Sequence, residues 1–111
     1  MTVGEVVKNL KLEVFSGSTH LEKKISGGYC SDLLSDVMGN ASEGNVWITL
    51  QVHKNIMAVA TLKDLAAIVL VKGLKPDKEI RELSEQEGIP LLGTHETAFE
   101  IAGQLYQLLR E

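Results

Sequence analysis

At 111 residues, 44% apolar and 23% charged, the chain suits one domain over 1–111 that can bury a core without disulfides or metal. A net charge of −4, scattered lysines and only the arginines Arg81 and Arg110 argue against a dedicated nucleic-acid binder, whose affinity comes mainly from neutralising phosphates. The single cysteine, Cys30, excludes an intrachain disulfide; with no signal-peptide pattern and an apolar run over 65–71 too short to span a bilayer, a cytoplasmic location is expected.

The chain opens on a capping box, in which Thr2 can cap and Glu5 can reach back. Val3, Val6, Val7 and Leu10 then share one helical face, and alternation over 11–15 indicates a short strand. After the turn at 16–18, Leu21 and Ile25 flank a charged surface segment. A strand over 26–30 runs into a helix over about 31–38 through a turn of small and polar residues, with Leu33, Leu34, Val37 and Met38 as its buried face. Ser31 and Asp32 are natural N-caps, and open N–H groups at such a turn can hold an anion. The run 46–50 is almost unbroken in apolar residues, as in a strand covered on both faces.

Asn55 is the expected cap of a helix over 56–63, which is apolar nearly all round. The clearest central strand is 67–71. Asp77 caps a helix over 78–87, and Gly88 is its left-handed stop. Pro90 marks the start or edge of a strand over 89–93. Thr94 is the expected cap of the last helix, with Phe99, Ala102, Leu105, Tyr106 and Leu109 as its packed stripe.

From Ser26 onward strands and helices alternate, which implies right-handed crossovers and a three-layer α/β/α sandwich with a mostly parallel central sheet. Ligands of such sheets sit beyond the carboxyl ends of the strands. The candidates there are Gly27, Gly28, Ser31, Asp32, Gln51, His53, Asn55 and Thr94, with His95 beside them. Several of these serve equally well as plain helix caps. The trio Gln51, His53 and Asn55 after one strand is harder to explain that way, because a turn needs only one cap.

Cys30, His53 and His95 lack C-x-x-C or H-x-x-x-H spacing, so no metal is expected, and Cys30 reads as a small buried residue. Gly27-Gly28 matches neither G-x-G-x-x-G nor G-x-x-x-x-G-K-[ST], which argues against an autonomous NTPase or dehydrogenase and implies no cofactor. A nucleophilic role for Cys30 or His53 lacks an identifiable positioned base.

The run Gly27-Gly28-Tyr29-Cys30-Ser31-Asp32-Leu33-Leu34-Ser35-Asp36-Val37-Met38, followed by Leu50-Gln51-Val52-His53-Lys54-Asn55, resembles a stand-alone DRTGG domain over essentially the whole chain. The stretch matching the family's short motif reads Lys23-Lys24-Ile25-Ser26-Gly27-Gly28; the glycine pair is kept and the residues before it depart. DRTGG domains are similar to the N-terminal domain of HPr kinase/phosphorylase and, distantly, to the uridine-nucleotide-binding N-terminal domain of Mur ligases. The resemblance implies an α/β regulatory or ligand-sensing domain without catalysis, working as a homodimer. It also implies a nucleotide or other phosphorylated ligand near Ser31, Asp32 and His53. The alternative is a protein-interaction or scaffold subunit without a small ligand.

Overall fold

In the computed structural model, which describes residues 1–111, helix α1 (Val3–Leu10) begins on its capping box. The Thr2 hydroxyl accepts from Glu5 N at 3.2 Å, and Thr2 N donates to the Glu5 carboxylate at 3.0 Å. Lys11, left-handed at φ 54°, closes the helix and leads into strand β1 (Glu13–Ser16). A 3₁₀ turn (Ser18–His20) and a surface segment lead to β2 (Gly27–Cys30). There follow α2 (Leu34–Asn40), β3 (Asn45–Thr49), α3 (Asn55–Leu62), β4 (Ala67–Leu70), α4 (Lys78–Glu87), β5 (Leu91–Gly93) and α5 (Ala98–Leu109). In α4 both expected punctuation marks are present: the Asp77 carboxylate accepts from Ile80 N at 2.9 Å, and Gly88 ends the helix at φ 69°.

The five-stranded sheet has the order β1-β5-β4-β3-β2, with β1 antiparallel to β5 and every other pair parallel. Because β2, β3, β4 and β5 lie side by side in chain order, right-handed crossovers put α2, α3 and α4 on the same face. Helices α1 and α5 cover the other face, completing the three-layer α/β/α sandwich. Successive strand residues feed opposite cores. Trp47, Ile68 and Leu70 pack with Val37, Ile56, Met57 and Ile80, whereas Val46, Ile48 and Val69 pack with Val3, Val6, Ile101 and Leu105. Burial on both faces is why the central strands read as unbroken apolar runs.

Several expected details are corrected. The α2 helix starts at Leu34 with Leu33 at its cap, so neither Ser31 nor Asp32 caps it. Leu33 and Met38 are exposed, leaving Val37 and part of Leu34 to pack. Asn55 is the first residue of α3 rather than its side-chain cap. The last helix is capped by Thr97, not Thr94: the Thr97 hydroxyl accepts from Glu100 N at 3.3 Å. Its inner face is Ile101 and Leu105, while Phe99 and Tyr106, read as part of the packed stripe, are 88% and 63% exposed. Cys30 is exposed rather than buried, because it lies on the outermost strand of the sheet. No helix is long and apolar enough to cross a membrane.

Candidate functional site

Asp32 is the hub of the carboxyl edge at β2 and β3. Its Oδ1 accepts from Leu50 N at 2.6 Å and from the Thr49 hydroxyl at 3.0 Å, and its main-chain oxygen accepts from Gln51 Nε2 at 2.9 Å. The Thr49 hydroxyl in turn accepts from Gln51 N at 3.1 Å. A carboxylate here satisfies the N–H at which β3 runs out of sheet partners. The knot ties the turn after β2 to the turn after β3, and it occupies much of what Asp32 and Gln51 can offer.

Ser31 is held on both sides. Its main-chain oxygen accepts from the indole N–H of the fully buried Trp47 at 2.8 Å, and its hydroxyl accepts from Leu33 N at 3.2 Å. Beside it the Tyr29 phenol donates to the Asp36 carboxylate at 2.9 Å, and Asn40 Nδ2 donates to the same group at 3.0 Å. The Ser31 hydroxyl and then the Tyr29 phenol hold the Asp36 carboxyl below its ordinary value; burial opposes them, and Asn40 adds a smaller lowering effect. The hydrogen bond to Asp36 pushes Tyr29 up, with burial and the carboxylate charge adding to it. Burial first, and then the Asp32 carboxylate, also push the Cys30 thiol up, which is the reverse of activation for a nucleophile.

Lys54 holds the N-cap position of α3 without a side-chain cap, and the imidazole of His53 just before it takes the first helical N–H: its Nδ1 accepts from Asn55 N at 3.1 Å. Both side chains are exposed at the start of α3, near the Asp32 knot, and the Asn55 carboxamide makes no hydrogen bond within the chain. No cavity is centred on Asp32, Gln51 and His53. The nearest concavity is a groove of about 400 Å³ between α3 and α4, which Lys54, Asn55 and Leu83 help to line.

The other candidates lie elsewhere. Gly27 and Gly28 pair with Asn45 and Val46 at the amino ends of β2 and β3, so they are not at the carboxyl edge. Gly28 has a packing reason: a Cβ there would meet Leu105 Cδ2 at 3.0 Å, so its absence lets α5 settle on β2. Thr94 follows β5, and β4 lies between that strand and β3. The connections leaving β4 and β5 go to opposite faces, the arrangement that opens a ligand crevice in such sheets. Here main chain closes it: Lys72 N donates to Glu96 O at 2.9 Å and Gly73 N to Thr94 O at 2.8 Å. The His95 ring fills the remaining space against Gly73, where an added Cβ would lie 2.8 Å from Nδ1.

No three His, Cys, Asp or Glu side chains come together as metal ligands: Cys30 ends β2, whereas His53 and His95 follow β3 and β5. Two participants escaped the sequence reading. Thr49 was hidden inside an apolar run, although a hydroxyl that is 1% exposed must have a partner. The Tyr29–Asp36 pair carried no local signal, because seven positions separate residues that meet only across a strand–turn–helix corner.

The DRTGG domain family matches this chain over residues 5–108. HPr kinase/phosphorylase of Levilactobacillus brevis is 26% identical over 127 aligned residues, which take in 98% of this chain and 40% of that protein. Among solved structures, similarity extends to the CBS and DRTGG domains of the regulatory region of Clostridium perfringens pyrophosphatase, complexed with activator, diadenosine tetraphosphate. That likeness has a TM-score of 0.71 at 19% identity and covers 95% of this chain and 45% of the other, which establishes a shared fold. The chain thus spans less than half the length of either protein.

Proposed function

The chain belongs to the DRTGG domain family, and from that premise we propose that it is a non-catalytic regulatory module sensing a nucleotide or other phosphorylated small molecule. The ligand would bind at the carboxyl edge of β2 and β3, and the module would act as a homodimer. The observation that carries the reading is the fold shared with a regulatory region complexed with a dinucleotide activator. At the edge itself, the Asp32–Thr49–Gln51 knot supplies a rigid floor, and the His53 imidazole and Asn55 carboxamide supply exposed donors beside it. Ser31 is the third contact in this reading, and Asp32 and Gln51 hold the frame.

The test is a thermal shift with diadenosine tetraphosphate and simple nucleoside polyphosphates as probes. A probe at about 100 times its dissociation constant stabilises by about 2.7 kcal/mol. The double variant His53→Ala, Asn55→Ala should lose that shift while its ligand-free melting point falls by no more than about 4 °C, the cost of the one hydrogen bond that His53 makes to Asn55 N. No shift with any probe, or an equal shift in the double variant, would overturn the reading.

The second reading is a docking module without a small ligand. It is favoured by the lack of a cavity at Asp32, Gln51 and His53 and by the large apolar side chains left in solvent, Phe99, Leu62 and Leu33 among them.

A further inference from the structure

The two edges of the sheet are treated differently. At the β1 edge the strand carries Glu13 and an irregularity between Val14 and Ser16, two devices that discourage pairing with another chain. At the other edge β2 has neither. Its sequence is Gly-Gly-Tyr-Cys, without charge or proline, and it pairs with β3 in regular register over its whole length. As the terminal strand it uses only one of its two hydrogen-bonding sides, and Gly28 and Cys30 are exposed.

Helix α5 lies over this strand, with α1 on its other flank. Its outer flank presents the exposed Phe99 and Tyr106, with the partly buried Ala102 and Leu109 in the same stripe at spacings of three and four. Between stripe and strand runs a groove of about 180 Å³, floored by Gly28, Cys30 and Ile48 and walled by Leu105 and Tyr106. In a chain with 11 basic and 15 acidic residues, none of these side chains is charged. At one rim Arg110 donates to the Tyr106 hydroxyl at 2.9 Å and stacks on its ring, and the Asp32 carboxylate lies close enough to Cys30 to act on its thiol.

We infer that this face, β2 together with the outer flank of α5, is the interface through which two copies of the chain pair about a two-fold axis. A two-fold contact sets a patch against the same patch of its copy, so a face of one charge sign repels itself and an uncharged one does not. An open strand edge is also self-complementary when turned antiparallel to its copy, which would join the two sheets into one. The strand alone is too small, since a stable interface buries about 800 Å² on each partner. The rings of Phe99 and Tyr106 add about 300 Å² and suit the apolar groove. This inference names the face of the proposed homodimer and does not depend on any ligand.

The experiment is analytical ultracentrifugation of the whole chain over a wide concentration range, paired with the rate at which maleimide labels Cys30, the only thiol. The wild type should approach twice the 12.1 kDa chain mass, and Cys30 labelling should slow as the dimer fills. Phe99→Glu and Tyr106→Glu, each at an exposed position, should weaken pairing at least tenfold with unchanged circular dichroism, and Cys30 should then label at one rate at every concentration. A wild type that stays monomeric overturns the inference, with the face left for another part of a longer chain or another protein. So does a dimer that survives both substitutions with Cys30 still reactive.

Discussion

Replacing Asp32 by alanine removes the acceptor at which β2 and β3 are joined. Two donors lose their partner, Leu50 N at 2.6 Å and the Thr49 hydroxyl at 3.0 Å. A hydrogen bond to an ionised group contributes about 1.5–3 kcal/mol net. Leu50 lies at the rim, where water can take over its N–H, whereas Thr49 is buried and its hydroxyl is left wanting. The sum should therefore fall near the cost of one such bond, about 2 kcal/mol. At about 4 °C per kcal/mol for a domain of this size, the melting point should drop by about 8 °C. Urea unfolding is the assay, with the slope unchanged and the midpoint lowered. Asp32→Asn keeps a carbonyl acceptor without the charge and should lose about half as much. If Asp32→Ala unfolds within about 0.5 kcal/mol of wild type, the range of an ordinary surface substitution, the knot does not hold the edge together. Asp32 would then be available as a ligand contact.

The Tyr29–Asp36 pair predicts a pH dependence with a definite sign. The Asp36 carboxyl is held below its ordinary value in the folded chain, so its contribution is present above the unfolded value and lost as pH falls through the folded one. Tyr29 is raised, so its contribution is present below the unfolded value, near pH 10, and lost as pH rises through the folded value. Asp36→Asn should flatten the acid limb of stability below about pH 4. In a titration of phenolate absorbance, one of the two tyrosines should ionise late, and Tyr29→Phe should remove that late step; a late step that survives would sink the assignment. Gly17 sits at φ 79°, and a Cβ there would lie 2.6 Å from Pro90 Cα, so Gly17→Ala should cost more than about 1 kcal/mol in the same urea assay. A neutral result would mean that the Gly17 turn shifts freely away from Pro90.

Much of the fold was legible in the chain. Thr2 with Glu5, Asp77 and Gly88 act on backbone groups within a few residues, so their effects follow from sequence spacing alone. The apolar runs of β3 and β4 announced strands covered on both faces, and the strand–helix alternation announced parallel pairing. The runs around Gly27 to Met38 and Leu50 to Asn55 carried the family. The candidate site was legible only in part. The chain correctly marked the turns after β2 and β3 as rich in polar groups, but it could not say which caps and which bonds. Lys54 stands at the cap of the helix given to Asn55, with His53 bonding its first N–H, and Thr97 caps the one given to Thr94, because a cap is chosen by where the first turn begins and a shift of one to three residues changes its owner.

Local chemistry, set by spacing along the chain, thus determined the elements, their order and the family. Tertiary structure decided which residues meet. Strand order put β4 between Thr94 and the knot. It closed the β4–β5 crevice with main-chain bonds, and it turned Phe99 and Tyr106, apolar residues on an amphipathic helix, outward beyond the last strand. The physical reason is that periodicity reports how many faces of an element are covered. What lies against each face depends on contacts between residues far apart in the chain, and no local pattern encodes them.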